Sequence, residues 1–188
     1  MVLEKISESV VKKDHSPKMS GRSIYVADYN KAKDGSDILT GKILHSKVAR
    51  ARVKVKLPSL PTGYFYVDAN DIPGDNNVNI VLDDMPVYCR DTVEYIGEAI
   101  GMVVGPDEKE VDRILSEIEV EYEMLPPVLD LRTAKEAFFN YEYGHGDMEK
   151  AFAEADHVYE EEFETGYQEQ TYLETQGMMA EPEQDGNM

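Results

Sequence analysis

The pattern of apolar and polar positions is clearest over Thr92–Pro127. At its centre Ala99–Val104, AIGMVV, is an unbroken apolar run about the length of one strand buried on both faces. Gly105 and Pro106 end the run. Asp107 follows, with Glu110 three residues on, a D-x-x-E helix start. Val111, Ile114, Leu115 and Ile118 then fall on one stripe of an amphipathic helix. Beyond the helix the period changes to two. Ile118, Val120 and Tyr122 alternate with Glu119, Glu121 and Glu123, which predicts a strand wet on one face, and Pro126 and Pro127 stop it. Strand, helix and strand have the length of a parallel βαβ unit with a right-handed crossover, the expected centre of an α/β domain.

The stretch before this unit reads as short strands and turns. Gly21–Tyr29 supplies a short strand or turn, and Asp34–Asp37, DGSD, is turn chemistry. Leu39–His45 is a strand. Val48–Leu57 alternates, with Ala51, Val53, Val55 and Leu57 inward and Arg52, Lys54 and Lys56 outward. Tyr64–Asp68 is a further strand, and Val87–Tyr88 and Val93–Tyr95 are short extended pieces. Asn70–Asn77 is a surface loop. It cannot be an EF-hand, because Pro73 sits where that loop needs glycine and Asn79 where it needs a bidentate glutamate. Gly97, Gly101 and Gly105 recur every fourth residue, a face on which another element can pack closely.

After Asp130 the pattern weakens. Ala134–Phe139 reads as one or two helical turns and Tyr141–His145 as a linker. Gly146-Asp147 opens a helix to about Ala155, His157–Thr165 is extended, and Gln176–Glu183 is a strand. That strand ends on Asp185-Gly186 with no partner to return to, so a second, incomplete domain is expected. The division expected is a tail over 1–20, a domain over 21–130, a linker over 131–145 and the start of another domain over 146–188.

Charge narrows the function. Thirty-eight acidic against nineteen basic residues give a net charge of −19, which repels phosphate backbones and argues against a nucleic-acid ligand. Residues His145–Met188 carry thirteen acids against Lys150 alone, so this part is expected to be loosely packed or held by a neighbouring chain. The only cysteine, Cys89, excludes an intramolecular disulfide and fits a reducing, cytoplasmic setting. It reads as a small buried or surface residue. No signal peptide is visible, and no apolar stretch approaches membrane-spanning length. The four histidines are scattered, with no zinc-ligand spacing, and neither P-loop nor nucleophile-elbow motif occurs.

Several segments, in order, resemble the molybdenum-cofactor subunit of the xanthine dehydrogenase / aldehyde oxidase family. Leu39–Val53, LTGKILHSKVARARV, is similar to the family form G-x-[IL]-L-x-S-x-x-A-x-A-x-[IV]. Asp71–Gly74 (DIPG), Tyr95–Val104 (YIGEAIGMVV) and Val120–Pro127 (VEYEMLPP) match further short motifs. The resemblance implies an α/β-hammerhead domain followed, from GDMEKAFAEAD at Gly146–Asp156 and through Glu160–Ala180, by the start of the first molybdopterin-binding domain. Gly166–Thr175, GYQEQTYLET, resembles the family's G-G-Q-E-H-x-Y-L-E-x, whose glutamine amide hydrogen-bonds an oxygen ligand of molybdenum. By position this is Gln168, the one cofactor-binding residue the resemblance implies.

The chain departs from the pattern at Tyr167, Gln170, Thr171 and Glu98, where glycine, histidine, an aromatic and glutamine are usual. No catalytic residue or direct metal ligand is expected here, since the family's glutamate general base has no counterpart in these residues. The whole enzyme implied would hydroxylate an N-heterocycle such as a purine, or oxidise an aldehyde, with oxygen taken from water. Partners would be the rest of the molybdenum subunit and polypeptides carrying 2Fe-2S and FAD, with homo-oligomerisation possible. The second reading is a non-catalytic hammerhead assembly module without cofactor.

Overall fold

The structure is a computed structural model and describes residues 9–29, 31–33, 35–78, 80–82, 84–137, 139–172, 174 and 176–182. The expectations touching Met1–Glu8, Asp34, Asn79, Phe138, Thr175 and Glu183–Met188, the Asp185-Gly186 end among them, lie in those parts outside the described residues. A short helix α1 (His15–Met19) and a 3-10 turn (Val26–Asp28) precede the sheets. Then come β1 (Thr40–His45), β2 (Ala51–Lys56), β3 (Phe65–Val67), β4 (Thr92–Val93), β5 (Ala99–Gly105), helix α2 (Glu108–Glu117) and β6 (Glu119–Met124). Among the described residues these strands form two antiparallel three-stranded sheets, ordered β1-β5-β3 and β4-β2-β6.

The apolar run is the middle strand of the first sheet. Lys42, Val103 and Tyr66 lie in register across it and so share one face. Helix α2 covers that face, with Val103, Val111 and Ile114 forming a buried cluster. The Asp107 side chain caps the helix by accepting the Glu110 amide at 2.9 Å. Lys42 clamps the helix to the sheet through Asp112 at 2.7 Å and Glu108 at 2.9 Å. Burial along β5 is uneven, because the opposite face, with Ile43 and Phe65, is exposed.

The parallel βαβ unit is corrected by this arrangement. The strand–helix–strand order holds, but β5 and β6 belong to different sheets. Both edges of β5 are already taken, by β1 over its length and by β3. Strand β6 instead pairs antiparallel with β2, setting Arg52 opposite Glu123, Lys54 opposite Glu121 and Lys56 opposite Glu119. The basic alternation of one strand meets the acidic alternation of the other, and opposite charges facing each other favour this register. A second core of Leu44, Ala51, Cys89, Val93 and Ile100 lies between the sheets. Tyr66, Leu115 and Ile118 pack against both clusters and join them.

The fourfold glycine spacing divides into two uses. A Cβ at Gly101 would lie 2.3 Å from Tyr66 Oη, and one at Gly105 would lie 2.1 Å from Tyr64 Cδ1, so both positions admit a tyrosine over the strand. Gly97 has open space but a φ of +91°, a turn conformation that side chains rarely adopt.

Beyond Met124 regular structure is sparse. A 3-10 turn covers Leu131–Thr133, so the helical turns expected at Ala134–Phe139 fall a few residues early, where the Asp130 side chain accepts the Arg132 amide. Helix α3 (Met148–Glu154) is capped by Asp147, as the motif predicts. Residues 157–165 pair with no strand, and the strand expected over Gln176–Glu183 is absent from its described part, 176–182. These runs add to neither sheet, although each sheet keeps two outer strands with one edge open. No helix of the described residues is long and apolar enough to cross a membrane.

Candidate functional site

Gln168 lies on the extended stretch after α3 and is exposed. Among the described residues its amide makes no side-chain hydrogen bond, so it is free to donate outward. Three residues on, the chain kinks at Thr171, which has a φ of +56°. A β-branched residue rarely adopts that conformation. Glu169 braces the kink, its carbonyl accepting the Thr171 hydroxyl at 3.2 Å. The stretch then reaches Glu174, whose carboxylate accepts the backbone amide of Val26 at 2.8 Å. Upstream, Arg132 is paired with Glu162.

The other candidate groups do not gather around Gln168. Among the described residues no group of three or more His, Cys, Asp or Glu could hold a metal ion. His45 is spent on the Gly97 carbonyl at 2.7 Å. Cys89 is only 4 % exposed, and burial, followed by Glu98 and Asp91, pushes its thiol up to about 11, away from the reactive thiolate. The Tyr66 hydroxyl is buried without a partner among the described residues, and burial and then Asp68 raise its pKa well above the ordinary phenol range. The basic face of β2 is occupied by acids: Arg52 meets Glu123 at 3.4 Å, Arg50 meets Glu94 at 2.8 Å and Lys56 pairs with Glu121.

Two cavities stand out. One, of about 400 Å³, opens between β1, the end of α2 and β6, lined by Leu44, Leu115, Ile118 and Tyr122 among others. The other, of about 250 Å³, lies beside Tyr66, Cys89 and Arg90. Neither is lined by a residue of 131–182, so both are seams of the two-sheet body. Glu98, 3 % exposed, accepts the Glu94 amide at 2.5 Å and so fixes the turn before β5. Glutamine offers the same acceptor oxygen, which gives the Glu98 departure a structural rationale.

Sequence reasoning marked Glu174 only as an acid near Gln168 and missed its partner Val26. The signal was weak, since a contact 148 residues apart leaves no local spacing to read.

The geometry is thus a two-sheet body with a helix-covered antiparallel strand, followed by an extended polar and aromatic segment. The family model for the aldehyde oxidase and xanthine dehydrogenase a/b hammerhead domain matches residues 20–126, and that for a molybdopterin cofactor-binding domain matches residues 131–188. The chain belongs to the aldehyde oxidase and xanthine dehydrogenase family. It is 31 % identical over 201 residues to a probable xanthine dehydrogenase subunit of Bacillus subtilis (strain 168), an alignment covering 99 % of this chain and 26 % of that one. It is 34 % identical over 179 residues to the xanthine dehydrogenase of Emericella nidulans, covering 90 % and 13 %. The chain thus spans about a quarter or less of these relatives. Among solved structures it shares its fold with a Cu,Mo-CO dehydrogenase (TM-score 0.55, 22 % identity, 64 % of this chain and 16 % of that one). The same holds for the aldehyde oxidoreductase of Desulfovibrio desulfuricans (TM-score 0.53, 17 % identity, 70 % and 16 %).

The donor chemistry fits a molybdenum cofactor at one contact. Gln168 presents an uncharged, unengaged amide, able to polarise an oxygen without adding charge. The residues around it supply no cradle: Gly166 has open space about it, and residues 160–172 are exposed.

Proposed function

We propose that this chain is the N-terminal portion of a molybdenum hydroxylase subunit. The whole enzyme hydroxylates an N-heterocycle such as a purine, or oxidises an aldehyde. The observation that supports this reading is the order of the two family matches on one chain, hammerhead first and cofactor-binding second. The cofactor, when bound, supplies the redox chemistry that brings water-derived oxygen to the substrate. Residues 21–130 form the scaffold, 131–145 link it onward, and 146–188 begin the cofactor-binding module. Gln168 holds the cofactor by donating its neutral amide N–H. The catalytic base comes from the rest of the subunit, and 2Fe-2S and FAD on partner polypeptides drain the electrons. The assembly works in the cytoplasm, where a single cysteine held as a buried thiol is under no pressure to pair.

The test is co-expression of the chain with the rest of its subunit and the electron-transfer polypeptides. In that assembly Gln168→Ala lowers turnover roughly ten- to a thousandfold, as for loss of a supporting or oxyanion-type donor. Full turnover in the variant overturns the assignment of Gln168. The chain alone neither retains molybdenum nor oxidises purines or aldehydes with an artificial acceptor, and activity there overturns the division of labour. A second reading, a hammerhead assembly module without cofactor, draws on the exposure of Gln168. Metal and pterin analysis of the native assembly separates the two.

A further inference from the structure

The segment that follows Gln168 is tied to the beginning of the chain. Val26 opens a 3-10 turn, so its N–H has no acceptor inside that turn. Glu174 Oε1 accepts it at 2.8 Å, while Asp28 closes the same turn by accepting the Tyr25 amide at 2.8 Å. Gly177 packs closely beside the bond: a Cβ there would lie 3.2 Å from both Glu174 Oε1 and Val26 Cβ. Seven residues further along each segment a second link follows, Lys33 to Glu181 at 3.1 Å. The two links fall in the same order along both segments. Between Gln168 and this seam stands Thr171 with its positive φ.

We infer that Glu174 is a positioning residue, fastening the far end of the 166–174 stretch to the Val26 amide so that the Gln168 loop is registered on the 22–33 segment. The consequence for Gln168 rests on the function proposed above; the tether itself rests on the geometry. The loop's position is then set by the 22–33 segment of this same chain. Of the two links the Glu174 bond is the stronger determinant. It is half-buried and charge-assisted, whereas the Lys33 side chain is almost fully exposed.

Amide hydrogen exchange on the full chain tests this, read at Val26 and, as control, across Ala99–Gly105. In Glu174→Ala the Val26 amide exchanges about tenfold faster or more, the change expected on losing a bond to a charged acceptor. Glu174→Gln keeps an acceptor oxygen and restores most of the protection. The amides of Ala99–Gly105 stay unchanged in both. Unchanged Val26 exchange in Glu174→Ala, no rescue by glutamine, or deprotection spread through Ala99–Gly105 each overturns the tether. Gln168→Ala leaves Val26 protection intact. If that variant is fully active in the assembly while Glu174→Ala still deprotects Val26, the Gln168 assignment fails and the tether stands.

Discussion

At the scale of single residues, two buried polar groups pull against the fold in ways that can be measured. The Tyr66 hydroxyl sits over Gly101 without a partner among the described residues. An unpaired buried hydroxyl is destabilising, so Tyr66→Phe should raise the unfolding free energy by about 1 kcal/mol in urea melts. A loss of stability instead would show that the hydroxyl is satisfied. Cys89 is pushed from its ordinary 9.0 to about 11, so the fold favours the neutral thiol. Its contribution is complete below pH 9.0 and is lost as the pH climbs through about 11. Relative to Cys89→Ala, the parent should lose about 1–3 kcal/mol over that interval. Parallel pH profiles for the two proteins would contradict the burial of the thiol. Gly101 belongs at the same scale: its four-residue spacing from Gly97 and Gly105 is visible in the sequence, but not which tyrosine covers it.

At the scale of elements, α2 is the one whose start, stripe and end all agree with its sequence. Asp107 accepts the Glu110 amide, and Val111 and Ile114 are fully buried. Asp107→Ala should therefore cost about 1 kcal/mol of stability, read as a shift in the urea midpoint with an unchanged slope. No shift would mean that the cap is redundant. The strands teach a different lesson. β5 reads as a strand and β6 reads as a strand, but pairing is not a property of either alone. RVKVK at Arg52–Lys56 and EVEYE at Glu119–Glu123 are complementary alternations, and set side by side they specify the antiparallel ladder observed. The same ladder accounts for the basic face of β2 without invoking nucleic acid.

At the scale of the whole molecule, order is concentrated between Thr40 and Met124, where the strands and both core clusters lie. Tyr143, Tyr159 and Phe163 are 97 %, 87 % and 85 % exposed, so the segment that carries them has no core of its own. Outside α3, hydrogen exchange over 139–165 should approach that of an unfolded peptide while Ala99–Gly105 remains protected. Equal protection in the two regions would show that the segment packs in a way this structure lacks. On the function proposed above, the rest of the subunit covers these aromatic side chains, and in that assembly the exchange should slow.

The elements of the hammerhead were legible in the chain because they depend on neighbours: a cap three residues from its amide, a stripe repeating every turn, an alternation every second residue. The proposal for Gln168 rests on its resemblance to a family motif, since a lone exposed glutamine carries no local signature. What the tertiary structure alone decided was which strand lies beside which, that β5 has both edges filled, and that Glu174 meets Val26. These contacts join residues far apart in sequence, where the free energy depends on closing a loop and matching two surfaces together, and no single segment contains both halves of that match.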